Sequence, residues 1–125
     1  MTSFGRACAR IWVAASLLIG AIDTAHAAGA LAVGACGAYG FAYDFPQEAA
    51  AQTAALGKCS GDCKIVTPMK RNCAALAIDG HNACGAFGYA AAVRLGQAQN
   101  AALRSCYRYG GKDCVIRAFV CDAKG

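Results

Sequence analysis

The segment ACGAYGFA spans residues 35–42, and it returns as ACGAFGYA at residues 83–90 with only its two aromatic residues exchanged. The agreement extends along the chain, because AQTAALGKC at 51–59 corresponds to AQNAALRSC at 98–106. Chance similarity between alanine-rich segments does not explain why cysteines recur at matching positions. The sequence therefore predicts two copies of one structural unit.

The cysteines extend this alignment. The chain has nine, of which Cys8 precedes the first apolar run. The other eight form two sets of four, in which Cys36, Cys59, Cys63 and Cys73 correspond to Cys84, Cys106, Cys114 and Cys121. An even number of cysteines in a small exported domain indicates disulfide bridges. A zinc site built on the close pair in the first set is the alternative, but no second pair has that spacing, so we expect no metal.

The amino-terminal residues have the pattern of an export signal. Arg6 and Arg10 form a basic start, an apolar run follows at 11–22, and the small-x-small sequence AHA ends at Ala27. The apolar run is shorter than the roughly 20 residues that a membrane-spanning helix needs. We therefore expect residues 1–27 to be removed and the product to be periplasmic or secreted, with no stable membrane span.

The remaining residues, 28–125, are expected to form a single domain with repeats at about 29–73 and 74–121. Signal removal takes away two positive charges and one negative charge, so the net charge changes from +5 to +4. Its longest Lys/Arg run is the dipeptide Lys70-Arg71. A mildly cationic surface favours anionic partners, but this pattern does not predict nucleic-acid binding.

Each unit is predicted to contain a short apolar strand, an aromatic strand, a helix and a final strand. Aromatic and small residues alternate in the second strand, which is the period-two pattern of β-structure. The alanine-rich segment 48–58 predicts a helix with Asp44 as its cap, and the second helix is predicted at about 96–107. Pro68 predicts that the last strand of the first unit ends early or lies at a sheet edge.

The predicted fold class is α+β: a duplicated, disulfide-bridged strand–strand–helix–strand unit with helices on one face of a mainly antiparallel sheet. A helix faced with alanine can approach Gly and Ala closely, so we expect the helices on the small-residue side of the aromatic strands. The aromatic side would then need a cover, either the other repeat, a second copy of the chain or a partner. The opposite arrangement, with the aromatic residues under the helices, is the alternative.

This pattern resembles the small secreted bacterial proteins of domain-of-unknown-function family 4189. The resemblance rests on the order of the Gly-aromatic strands, the segment NCAALAI at 72–78, and the helix ends Ala51, Ala55, Leu56, Cys59 and Ala98, Ala102, Leu103, Cys106. It implies export, a duplicated α+β unit and an interaction role, and it supplies no catalytic residues. Cys36 and Cys84 are additions to the usual six cysteines of the family, so they either bond each other or add one bridge to each unit.

The residues that catalysis would need are sparse. His81 lies three positions before Cys84, but the counterpart of this cysteine in the first unit has no histidine, which favours a structural bridge over a nucleophile. Cys59 and Cys63 could form a redox pair, yet their counterparts are separated by a longer segment. We therefore expect a protein that is not an enzyme and has no cofactor, with a periplasmic thiol-disulfide redox protein or a purely structural envelope protein as alternatives.

The predicted binding surface combines aromatic strand residues with the aromatic and cationic end of the second helix. Its partner is expected to be an envelope component, a host protein or a second copy of the chain. The surface residues are Tyr39, Phe41, Tyr43, Phe87, Tyr89, Tyr107 and Arg108, with a cationic rim from Lys64, Arg94, Arg104, Lys112 and Arg117.

Overall fold

The protein is described by a computed structural model that covers residues 27–122, so the predicted export signal lies outside the described residues apart from Ala27. Strand, strand, helix and strand follow one another twice, as the duplication predicted. We call the residues from β1 to β3 the first unit and those from β4 to β6 the second unit. The elements are β1 (Ala28–Val33), β2 (Tyr39–Phe45), α1 (Glu48–Lys58), β3 (Lys64–Lys70), β4 (Cys73–Asp79), β5 (Phe87–Ala92), α2 (Leu95–Arg108) and β6 (Cys114–Cys121).

Each unit forms an antiparallel sheet of three strands, in the orders β2-β1-β3 and β5-β4-β6. The central strands β1 and β4 are buried along their whole length. Both of their faces are covered, which explains why their sequences are apolar, apart from Asp79 at the end of β4, and do not alternate. Pro68 lies in β3, which continues to Lys70 at a sheet edge, so the edge prediction is confirmed and the early end is not.

The helices pack on the small-residue faces of the sheets, as predicted. Ala51 and Ala55 of α1 are fully buried against Ala30, Ala32 and Ala42 of the first sheet. In the second unit, buried alanines of α2 pack against the corresponding face of β4. Small side chains on both surfaces allow the close approach of helix and sheet that the alternating pattern indicated.

The two sheets pack against each other through their other faces, which gives a helix–sheet–sheet–helix arrangement. Leu31, Val33 and Met69 of the first sheet and alternate residues of β4 form a buried apolar core between them. Tyr39 and Phe41 pack against this core and are half-buried. The sequence left open whether the other repeat, a second copy of the chain or a partner covers the aromatic residues. For Tyr39 and Phe41 the other repeat provides this cover.

The described cysteines form four disulfides: Cys36–Cys84, Cys59–Cys63, Cys73–Cys121 and Cys106–Cys114. Cys36 and Cys84 bond each other, which resolves the alternative that the family pattern left open. Theirs is the bridge that joins the two units, whereas the other three lie within a unit.

Strand register corrects the predicted equivalence of Cys73 and Cys121. Ala28 lies opposite Lys70 in the first sheet, and Cys73 lies opposite Cys121 in the second. Cys73 is therefore the counterpart of Ala28 and belongs to the second unit. The predicted equivalence was wrong because the first unit has Ala28 and Lys70, and no cysteine, at the positions that correspond to Cys73 and Cys121.

The predicted helix spans are close to those observed, but the predicted cap is wrong. Gln47 is the residue that precedes α1, and it makes no side-chain cap hydrogen bond. Asp44 instead belongs to β2, where its φ of 57° places it in the left-handed region. Because β2 continues to Phe45, the helix begins too late for Asp44 to cap it.

Candidate functional site

The structure divides the predicted binding surface into separate regions. Tyr39 and Phe41 contribute to the core between the sheets, while Tyr43 is exposed near the end of β2. Phe87 and Tyr89 are exposed on the second unit. Tyr107 and Arg108 lie in the last turn of α2, where both are exposed.

The second unit has a groove beside β5. A cavity of about 620 Å³ is lined by Gly85, Ala86, Phe87, Tyr89, Ser105 and Tyr109. A neighbouring depression of about 290 Å³ is lined by Tyr89, Ala90, Ala101, Arg104, Ser105 and Arg108. Tyr89 and Ser105 line both, so the two form one continuous surface, which we call the β5 groove.

Aromatic rings form much of this groove because successive side chains of β5 point to opposite faces of the sheet. Gly88 lies against the backbone of α2, so Phe87 and Tyr89 on either side of it point to the opposite face. Their ring centroids are 6.4 Å apart with planes inclined by 25°. Phe87 is 42% exposed, Tyr89 is 40% exposed and Tyr109 is 73% exposed. The strand thus presents two nearly parallel, accessible rings to a ligand.

A pair of arginines borders the same groove. Arg104 and Arg108 are four positions apart on α2, a spacing that places them on one side of the helix. Both are exposed, and α2 contains no Asp or Glu. The β5 groove therefore combines apolar rings with a locally positive edge, which suits a ligand that has both apolar and anionic groups.

Two connections in the second unit hold Tyr109 near β5. Gly80 donates its N–H to the carbonyl of Asp113 at 2.7 Å. The Asp79 carboxylate accepts the backbone N–H groups of His81 at 2.9 Å and Lys112 at 3.3 Å. The β4–β5 and α2–β6 connections are thereby tied together. The β4–β5 connection is longer than its counterpart in the first unit, and the segment from Cys106 to Cys114 is longer than the segment from Cys59 to Cys63. The length difference around Cys106 and Cys114 was the sequence signal for this groove.

These hydrogen bonds predict a pH-dependent contribution from Asp79. The backbone N–H of His81 is the main cause that lowers the pKa of Asp79 below its ordinary value of 3.8. A lowered native pKa stabilises the fold above the unfolded-state pKa, and this stabilisation is lost as the pH falls towards the native pKa. We expect Asp79→Asn to remove this part of the acid dependence of unfolding.

The measurement is denaturant unfolding of both proteins from neutral pH down to about pH 3, which spans the ordinary carboxylate range. Asp62→Asn, at an exposed position, is the matched control and should follow the parent protein. Equal acid dependence in the parent and Asp79→Asn would contradict the assigned role of this carboxylate.

The first unit has a counterpart of the β5 groove with different walls. Its cavity, of about 560 Å³, is lined by Tyr39, Gly40, Phe41, Tyr43, Lys58, Phe119 and Val120. In the first unit, Lys58 lies at the position equivalent to Ser105 of the second unit. Phe119, which also lines this cavity, belongs to β6 of the second unit. Arg117 also lies over the Tyr39 ring at 5.3 Å, and its Nε donates to the carbonyl of Gly37 at 3.4 Å. These contacts engage Tyr39 within the protein itself, while Tyr43 and Phe119 of the same cavity are exposed.

The candidate catalytic residues lie in disulfides and in one exposed histidine–carboxylate contact. Cys84 is bonded to Cys36, and Cys59 is bonded to Cys63, so neither candidate nucleophile carries a thiol in this structure. The His81 imidazole faces the Asp113 carboxylate at 3.2 Å, and both side chains are largely exposed. Within residues 27–122, no three His, Cys, Asp or Glu side chains are grouped so that they could hold a metal ion.

The arrangement defines a disulfide-bridged α+β protein made of two similar units with a groove on the second. A family model described as "Domain of unknown function (DUF4189)" matches residues 28–121, and the chain belongs to this family. Searches of curated proteins and of solved structures returned no match. Four disulfides indicate an oxidising, extracytoplasmic environment. None of the helices in the described range is long and apolar enough to cross a membrane.

Proposed function

We propose that the protein is a periplasmic or secreted binding module, without enzymatic activity of its own, whose ligand site is the β5 groove. The observation that carries this proposal is the exposure of Phe87, Tyr89 and Tyr109 around one cavity next to two arginines. Large apolar groups that remain accessible in a cluster are typical of interaction sites.

Comparison of the two units supports the choice of groove. Tyr39 and Phe87 occupy equivalent strand positions, because each lies opposite the corresponding residue of its central strand. Tyr39 is engaged by Arg117 and the core between the sheets, whereas Phe87 is exposed. At these equivalent positions the aromatic residue of the second unit is therefore the accessible one, whereas the exposed aromatic residue of β2 is Tyr43.

The lining indicates the chemistry of that ligand. Apolar or planar groups would pack on Phe87 and Tyr89, where aromatic surface gains most from burial. Carboxylates or similar anions would pair with Arg104 and Arg108, whose guanidinium groups accommodate two anion oxygens at once. Ser105, between these regions, offers a hydroxyl that can donate or accept.

A fluorescent probe with the same chemistry tests the site. Anilinonaphthalene sulfonate carries fused aromatic rings and one anionic group, so we expect saturable fluorescence enhancement with the folded, oxidised protein. Tyr89→Ala should weaken this binding by about tenfold, since a central aromatic contact is typically worth more than 1 kcal/mol. The measurement is a fluorescence titration at constant ionic strength.

Tyr43→Ala is the matched control, because it removes an exposed tyrosine of the first unit's cavity and leaves the β5 groove intact. It should bind the probe as the parent protein does. Binding that is absent from the parent, or that is lost only with Tyr43→Ala, would show that the β5 groove is not the ligand site.

A further inference from the structure

The four edge strands among residues 27–122 differ in how they are protected against pairing with another chain. An open sheet edge is commonly blocked by a bulge, a proline or a charged side chain. β3 has Pro68, lysines at both ends and an irregular register with β1. β2 contains Asp44 and a register shift, and β6 contains Arg117 and a register shift.

β5 has none of these blocking features. Its sequence, FGYAAA, contains no charged residue and no proline. Its register with β4 is regular from Phe87 to Ala92. In the described part of the chain β5 pairs only with β4, so its other edge is available. Alternate residues of such an edge strand direct their backbone N–H and C=O groups outward.

The β5 groove follows this open edge. Its lining includes the consecutive residues from Gly85 to Phe87 at one end and Ala90 at the other. Tyr89 and Phe87 form one side, and Ala101, Arg104 and Ser105 of α2 form the other. An extended segment in the groove would therefore have apolar rings on one face and arginines on the opposite face.

Building on the function proposed above, we propose that the open edge of β5 accepts an extended peptide as a fourth strand of the second sheet. Main-chain hydrogen bonds to β5 supply the common part of this recognition. Alternate side chains of an added strand point to opposite faces. The preferred peptide is thus one in which acidic residues, towards Arg104 and Arg108, alternate with apolar residues, towards Phe87 and Tyr89.

Charge selects such a peptide over a second copy of the chain. Pairing of two β5 edges would bring the two α2 helices to the same side of a continuous sheet. Each helix contributes Arg104 and Arg108 and no acidic residue. The arginines of the two copies would repel each other on the same side of the sheet, whereas the carboxylates of an acidic peptide are complementary to these arginines.

The test uses the oxidised protein and a fluorescein-labelled peptide as long as β5, in which glutamate alternates with valine. Two further peptides carry N-methyl groups, one on every glutamate amide and the other on every valine amide. Only one of these sets of amides faces β5 in an added strand, so one methylated peptide should lose binding while the other retains it. Equal binding of both, or loss in both, overturns strand addition.

A charge-reversal variant tests the orientation of the side chains. Arg104→Glu combined with Arg108→Glu should weaken binding of the alternating peptide by about tenfold or more and favour a lysine–valine counterpart. Lys58→Glu combined with Lys70→Glu, which makes the same change of net charge at exposed positions of the first unit, is the matched control and should have little effect. Backbone amides in 87–92 should exchange more slowly with solvent when the peptide is bound.

The outcomes separate this inference from the proposed function. Saturable probe binding that Tyr89→Ala weakens, together with failure of the alternating peptide to bind, would retain the ligand site and reject strand addition. Failure of both would reject both. Peptide binding that the double charge reversal leaves unchanged would place the peptide elsewhere and also overturn the inference.

Discussion

Replacement of Gly88 by alanine is expected to lower the free energy of unfolding by roughly 3 kcal/mol or more, at the upper end of the usual cost of overpacking. A Cβ at this position would overlap the backbone nitrogen of Cys106 and the backbone oxygen of Ala102. Both atoms belong to the α2 backbone, so they cannot move aside as a flexible side chain would. The helix would have to withdraw from the sheet and lose the burial of Ala98, Ala102 and Cys106.

The measurement is guanidinium unfolding of the oxidised protein, followed by circular dichroism. Gly96→Ala is the matched control within α2, because a Cβ there meets no atom within 4 Å. Alanine in place of an exposed helical glycine should stabilise the protein by about 0.5–1 kcal/mol. If Gly88→Ala were as stable as the parent, Gly88 of β5 would not be in close contact with the backbone of α2.

The duplication made much of this contact predictable. Gly40 and Gly88 recur between aromatic residues, and the Ala-x-x-x-Ala pattern recurs on each helix, so the small-residue docking follows from sequence. The first helix was predicted at 48–58 and observed at Glu48–Lys58. Local periodicity and helix propensity were sufficient there because neither depends on distant parts of the chain.

The binding surface was less predictable because it depends on packing between the units. Phe41 and Tyr89 are equivalent by register, yet Phe41 packs on the core between the sheets and Tyr89 is exposed. Residues 39–42 and 87–90 differ only in the order of their two aromatic residues. The difference comes from which residues of the other unit lie against them, and repeat alignment has no information on that contact.

The roles of Ser105 and Tyr109 were missed for a related reason. Ser105 neighbours a helix-end cysteine, where a polar residue is ordinary, and Tyr109 lies between Cys106 and Cys114, a segment longer than its counterpart between Cys59 and Cys63. They line one cavity with residues 85–87 of the β4–β5 connection and β5, whose connection Asp79 and Gly80 join to the one that contains Tyr109. Sequence comparison of the units identifies the longer connections but not the contact between them.

Removal of the bridge between the units, by Cys36→Ala with Cys84→Ala, is expected to lower the free energy of unfolding by about 4 kcal/mol. This follows from the chain-entropy model for a sequence separation of 48 residues. Cys59→Ala with Cys63→Ala, for a separation of 4 residues, should cost about 2 kcal/mol. Double substitutions avoid leaving a free thiol that could form other bridges.

The bridge between Cys73 and Cys121 provides a matched control, because it has the same separation of 48 residues but lies within the second unit. Chain entropy alone predicts equal costs for its removal and for removal of Cys36–Cys84. A much smaller cost for the latter would mean that chain entropy does not account for the contribution of the Cys36–Cys84 bridge. A cost no greater than that of the Cys59–Cys63 pair would contradict the prediction, and equal, large costs would show that both bridges stabilise the fold by restricting the unfolded chain.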